Sequence, residues 1–403
     1  MIYRFIAAFV LSILTIANSK VDPAFAQTES DLTVATFGGA YGQALDIAVL
    51  KPFADETNIR VKPKYHPKNE DSLDALNATA PQPDVVELDR HAIDTACANG
   101  LLTKWQSSGA EDNNRDTGDT DRTRQSNRDT LDGFLHDCGV ASLSWASITV
   151  FNTKAFKKKP RQLRDLFKTK SFPGKRALVA KPEFLFETIL MADGVRAGKV
   201  YETLETDAGL KRVLRRLSKL EPHIIWANTQ TESLDLVEKG QAVLGQAFNG
   251  RVFIDSARGA PISIVWDGQI YDTNYYAIPK DAPNQQGAEK FVAFATKTAQ
   301  LAGHAELIAY GPRKRSAIAE LSLHPTLGIE LAPYLPTHPR NVKRALARDA
   351  AWWDLNRPRL AHAFANWMSG TEARAEKRAQ DAIARKAKKK RRYKKRRKKR
   401  RRR

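Results

Sequence analysis

"DLTVATFGGAYGQALDIAVLKPF", residues 31–53, decides the fold. LTVATF reads as a strand, and Gln43 to Glu56 as a helix with Leu45, Val49, Pro52 and Phe53 at helical spacing on one face. Gly38, Gly39 and Tyr41 stand at the turn between them. The same succession repeats along the chain. IRVKPKY (59–65) and DVVELD (84–89) predict strands, the latter followed by a helix that stops at Gly100. SLSWASITVFNT (142–153), RALVA (176–180), HIIWAN (223–228), AVLGQAF (242–248), ISIVW and NYYAIP predict further strands. Helices are expected over 184–193, 209–220, 231–240, 285–303 and 348–368. Strand and helix thus alternate twice, over 31–140 and over 145–265, which predicts an α/β protein of two lobes with mainly parallel sheets. The length, 403 residues, also exceeds what one hydrophobic core usually spans.

The ends of the chain differ from its body. Arg4, an apolar run from Phe5 to Ala17 and the A-x-A triplet Ala24-Phe25-Ala26 describe a secretory signal peptide over 1–26. No later run is apolar for long enough to cross a bilayer, so a soluble exported protein is expected. The net charge of +21 is concentrated at the other end. Residues 371–403 hold 20 Lys and Arg against 3 Asp and Glu, leaving a nearly balanced 46 against 42 elsewhere. Such a run repels itself and predicts a disordered basic tail able to touch a polyanion. In an exported chain the two cysteines, Cys97 and Cys138, suggest a disulfide. Between them residues 107–130 lack any large apolar side chain, which predicts a mobile insertion.

Catalytic grammar is missing. The eight histidines show no metal-ligand spacing, no G-x-S-x-G elbow appears, and FGGAYG departs from the dinucleotide pattern. A binding protein without cofactor or metal is expected, not an enzyme.

Motifs spread over about 300 residues sharpen this reading: TFGGAYGQALDIAVLKPFADETNIRV (36–61), DVVELD and CANGLL (84–102), DCGVASLSWASITVFNTKAF (137–156), FPGKRAL (172–178), LMADGV (190–195), AFNGRVF (247–253), WDGQIYDTNYYAIPKDAPN (266–284) and YGPRKRSA (310–317). In this order they are similar to the periplasmic solute-binding proteins of ABC importers, of the spermidine/putrescine-binding type. The resemblance implies the two-lobe, type II periplasmic-binding-protein fold with a ligand cleft between lobes. Lobe 1 would comprise 27–143 and 277–345, lobe 2 residues 144–276, and a C-terminal helical segment 346–370. It implies a small cationic cargo, a polyamine, captured by a monomer and handed to an inner-membrane permease. Flat apolar walls for its methylenes would come from Phe37, Tyr41, Trp145, Trp226, Phe248, Tyr271 and Tyr276, with Gly38 and Gly39 allowing close approach. Ammonium partners would be Asp89, Glu187 and, above all, Asp272. Related sequences commonly carry Trp at Phe37 and Asp at Asn274, and Arg90 adds a positive charge beside Asp89. Another solute, amino-acid-like or ferric ion through Tyr275 and Tyr276, is the alternative, as is a polyanion-binding protein acting through the tail.

Overall fold

The computed structural model describes residues 31–66, 76, 82–105, 129–325, 327–371, 373–378 and 380. The expected signal peptide, most of the 107–130 insertion and the basic run beyond residue 380 lie outside the described residues. The first part of the chain supplies β1 (Leu32–Thr36), β2 (Val61–Tyr65), β3 (Val85–Asp89), the short β4 (Leu135–His136) and the long β5 (Gly139–Asn152). The remainder supplies β6 (Arg176–Val179), β7 (Ile224–Ala227), β8 (Leu244–Phe248), β9 (Ile262–Ala277), β10 (Gly311–Pro312) and β11 (Leu346–Ala347).

Two parallel triplets flank an antiparallel pair, in the order β2-β1-β3-β9-β5-β8-β6-β7. β1 pairs in parallel with β2 and β3, and β6 in parallel with β7 and β8. β5 and β9 run antiparallel through the middle, from the Gly139–Ala277 pair to the Asn152–Ile262 pair. The sequence pattern suggests two separate strands, ISIVW and NYYAIP. They are one strand, and Gly268 at φ 75° sits within a register shift opposite Ser147–Thr149. A glycine with positive φ inside a strand accommodates a bulge without ending the ladder.

Each end of the crossing pair has its own core. One gathers Leu32 to Leu143 with Tyr275 to Ala317, a second gathers residues from Phe151 to Ile270, and a third, beside the second, gathers residues from Ala146 to Ile262. The C-terminal helix Ala350–Ser369 lays Trp352, Trp353, Leu360, Phe364 and Trp367 into the second core. Part of the segment 329–347, expected with lobe 1, contacts β9 and the helix Asn249–Ala257. Leu331 packs on Phe253, β11 pairs with β9, and the buried Gln269 amide donates to the carbonyls of Pro336 and Asn341, each at 2.9 Å. A buried amide needs such acceptors, so this segment is held where Gln269 is. The helix expected over 285–303 is two, Gln285–Ala295 and Thr298–Ile308. The expected disorder starting at 371 also needs correction. Residues 371 and 373–378 are helical, Arg374 lies 4.4 Å over the Trp367 ring, and Arg374 and Arg378 pair with the buried Glu221 at 2.8 and 2.5 Å.

Cys97, at the end of the helix Arg90–Ala98, is bonded to Cys138 just before β5, with Cα atoms 5.8 Å apart. This is the expected disulfide. On loop-closure entropy, a bridge spanning 41 residues stabilises by about 4 kcal/mol. Denaturant unfolding of the Cys97→Ala/Cys138→Ala chain should therefore show a loss of that order. A loss below about 1 kcal/mol would mean that the denatured loop is already ordered without the bond.

Candidate functional site

The cleft is built from the turn after β1. Gly39 has φ 69°, a conformation that costs a side-chain-bearing residue and not glycine. A Cβ at Gly42 would lie 2.7 Å from Cε1 of Tyr65 and 2.9 Å from the Phe37 carbonyl oxygen. Close packing of the turn on β2 thus explains much of the glycine content. Gly38, the N-cap of the helix Gly39–Leu45, offers no side-chain acceptor to the first-turn N–H groups. These groups carry the positive end of a helical run that continues without a break to Thr57.

Tyr41 is fixed from below. Its hydroxyl donates to Glu87 on β3, which also accepts from Thr36 Oγ1 at 2.5 Å and Ser142 Oγ at 2.6 Å. Burial raises the Glu87 carboxyl above its usual pKa, against the pull of these donors. The Tyr41 ring is also flanked by His304 and Tyr310, with centroids at 4.7 and 5.8 Å.

Above this support lies a cavity of about 290 Å³ lined by Phe37, Gly38, Tyr41, Asp89, Trp145, Phe248, Asn274 and Tyr310. Trp145 stands edge-on to Phe248 at 5.2 Å and donates its indole N–H to Asn274 Oδ1 at 3.0 Å. Phe184 packs behind both rings at 6.2 and 6.4 Å. It holds φ at 62°, a strain of roughly 1–3 kcal/mol for such a residue. The cavity therefore has aromatic walls and one carboxylate, Asp89.

Asp89 is tied to a larger charge cluster. Arg348, directly after β11, contacts Asp272 at 2.8 Å, Glu183 at 2.9 Å and Asp89 at 3.4 Å. Arg357 adds a second contact to Glu183 at 2.5 Å. Burial opposes the charge on Arg348, yet Asp272, Glu183 and Asp89 together raise its pKa. Burial pushes Asp272 up to about 6 against the pull of Arg348, with Asp89 adding to the rise. At neutral pH both remain charged and paired.

Six of the twelve sequence candidates line the cavity: Phe37, Gly38, Tyr41, Asp89, Trp145 and Phe248. Gly39 shapes the turn beside it. The other five lie elsewhere. Asp272 is 4% exposed and paired inside the protein. Glu187 is fully buried and accepts from the Trp353 indole N–H. Trp226 packs on Phe364 and Trp367 at 5.9 and 6.0 Å, and Tyr271 packs against the third core. Tyr276 is buried edge-on to Phe291. Adjacent strand residues alternate sides, so Tyr275, whose hydroxyl donates to the Gly133 carbonyl, does not share a face with Tyr276 as a ferric pair would. Sequence reasoning missed Tyr310 and Arg348. Tyr310 opens the motif YGPRKRSA, which was visible, whereas no local pattern marks Arg348.

Two α/β lobes joined by crossing strands, with an aromatic cleft at the crossing, form a solute receptor. The chain belongs to the bacterial extracellular solute-binding protein family, whose sequence profile matches residues 48–327. It is 30% identical over 343 residues to the gamma-aminobutyric acid-binding protein of Pseudomonas aeruginosa, covering 85% of this chain and 92% of that one. The spermidine/putrescine-binding periplasmic protein of Escherichia coli is 31% identical over only 103 residues, 25% of this chain and 29% of the relative. A solved GABA receptor structure superposes with a TM-score of 0.65 at 26% identity, covering 84% of this chain and 97% of the other. As a member of this family, the protein carries a solute to an ABC transporter.

Glu187 gives the second core a pH dependence. Burial pushes its carboxyl up to about 8 from an ordinary 4.5. Between those values the folded chain holds a proton that the unfolded chain has lost, so this contribution is intact below the lower value. It is lost as pH rises toward the upper one, by up to about 1.4 kcal/mol per pH unit. Thermal melts of wild type should fall more steeply from about pH 5 to about pH 8 than those of Glu187→Gln, which carries no charge to bury. Parallel profiles would show that Glu187 is ionised in the fold.

Proposed function

We propose that this protein is a periplasmic receptor for a small zwitterion with one ammonium and one carboxylate on a short aliphatic chain, of the γ-aminobutyrate class. The observation that carries this reading is the internal ion pair between Asp272 and Arg348. A polyamine needs carboxylates for two or more ammonium groups. The acid expected to serve it best is neutralised from within, and among the described residues Asp89 is the acid that lines the cavity. One ammonium group can take Asp89 and the faces of Trp145 and Tyr41, where a cation gains about 0.5–2 kcal/mol. The uncapped N–H groups after Gly38, which also lines the cavity, suit the carboxylate of the same ligand. Phe37, Phe248 and Tyr310 would cover the methylenes between. The extent of similarity to the GABA-binding relative, against the short match to the polyamine-binding one, supports the same choice. Handover to an inner-membrane permease would follow closure of the lobes.

Isothermal titration of the full chain with γ-aminobutyrate, putrescine and spermidine tests this directly. The amino acid should bind at least about tenfold more tightly than either amine, because a site built around a carboxylate leaves its donors unpaired with a diamine. Asp89→Asn keeps the acceptor that caps the helix Arg90–Ala98 and removes the charge. It should weaken binding by on the order of tenfold or more with the melting temperature little changed. Tighter binding of an amine would overturn the zwitterion reading and restore the polyamine one.

A further inference from the structure

A second charged feature lies far from the cleft. β5 runs from Trp145 at the cavity to Asn152, and its antiparallel partner β8 places Phe248 beside Ser147 and Leu244 beside Phe151. The loops after β5 and before β6 and β8 therefore gather at the end of the second lobe away from the ligand. At roughly 3.3 Å per residue this end is about 23 Å from Trp145 along the strand. Residues 154–175 of that loop region carry nine Lys and Arg, every one exposed, against a single acid, Asp165. Asp165 is buried and already engaged by Lys168 at 2.7 Å and by the backbone N–H groups of Arg161 and Gln162.

The surface there is recessed. Lys157, Lys158, Lys159, Arg161 and Lys168 rim a hollow of about 820 Å³. A neighbouring hollow of about 530 Å³ shares Lys159 and Arg161 and adds Arg340, Lys343 and Arg344. Its acid, Asp267, pairs with Arg344 at 3.1 Å and accepts the Leu163 N–H at 2.8 Å. The C-terminal chain arrives at the same end. Arg374 and Arg378 are anchored on Glu221, just before β7, and Lys175, just before β6, donates to the adjoining Pro222 carbonyl at 3.0 Å. From this anchor the sequence continues into residues 381–403, with 17 further Lys and Arg.

We propose that this end of the second lobe is a docking face for an anionic phospholipid surface, with lipid phosphates entering the two cation-rimmed hollows. Polybasic faces are drawn to anionic leaflets within about a Debye length, roughly 10 Å at 0.1 M salt. The family is extracellular, which puts lipid phosphate within reach. Docking at the end remote from the cleft leaves the ligand site open while confining the receptor to the surface that holds its transporter.

The test is sedimentation of the full chain with vesicles of phosphatidylglycerol and phosphatidylcholine, and with phosphatidylcholine alone. Wild type should bind the anionic vesicles only, and raising salt from about 0.05 M to about 0.5 M should release it. The variant Lys157→Gln/Lys158→Gln/Lys159→Gln/Arg161→Gln, with its C-terminal run intact, should bind at least tenfold and up to about 100-fold more weakly at an unchanged melting temperature. Arg340→Gln/Lys343→Gln, on the neighbouring hollow, should weaken binding in the same direction. Failure of wild type to bind anionic vesicles would overturn the proposal. Equal binding by wild type and both variants would also do so, since the C-terminal run alone would then carry the contact. A loss confined to duplex DNA, with vesicle binding retained, would reassign the face to nucleic acid.

Discussion

The buried guanidinium of Arg348 holds the molecule together where its parts meet. Its three carboxylate partners come from the end of β3, from the helix entry at Glu183 and from the middle of β9. No two of these belong to one local element. Removing a buried charge from water is costly, and the cost is offset only while every partner stays in place. The cluster therefore fixes the C-terminal segment, the crossing strand and both lobes relative to one another. It also sets the electrostatics of the cleft, because Arg348 is shared by three carboxylates, of which Asp89 reaches the cavity.

The position of this knot bears on lobe motion. β5 and β9 pass between the lobes, and a rotation that opens the cleft must bend them. Asp272 and Arg348 lie on β9 and directly after β11 beside it, so their contact belongs to the crossing pair. Asp89 belongs to the first lobe, and its 3.4 Å contact is the longest of the three. A ligand ammonium at Asp89 would compete with Arg348 for the same carboxylate, coupling occupancy of the cleft to the hold between lobes. Asp354 on the C-terminal helix reaches His91 on the first lobe, a second tie across the same gap.

Much of the fold was legible because its signals are local. The 3.6-residue spacing after Gly39 and the alternation in SLSWASITVFNT depend on near neighbours, as does the cysteine pair once export is read from the N-terminus. Errors arose where local signals conflict with packing. The Asp267-Gly268 step resembles a turn but forms a bulge, because β9 keeps its ladder with β5 on either side. Arg374 and Arg378 belong to a charge run that reads as solvated, yet Glu221 offers a buried acid that binds both. The helix Leu185–Ala192 is buried on every face, so an amphipathic reading could not tell that Glu187 points into the core.

The site was half legible for the same reason. Residues beside the glycine turn and at the start of the crossing strands are placed by their own segments, and Phe37, Tyr41, Asp89 and Trp145 meet as expected. Whether an acid faces a ligand or an arginine is decided by chain brought from far away. Asp272 precedes Arg348 by 76 positions, and Glu183 precedes it by 165. An isolated WDGQIYD motif presents Asp272 as a ligand carboxylate; the folded chain has already satisfied it. Among the described residues, Asp89 is the acid that lines the cavity, and the N–H groups that follow Gly38 lie on the neighbouring strand end.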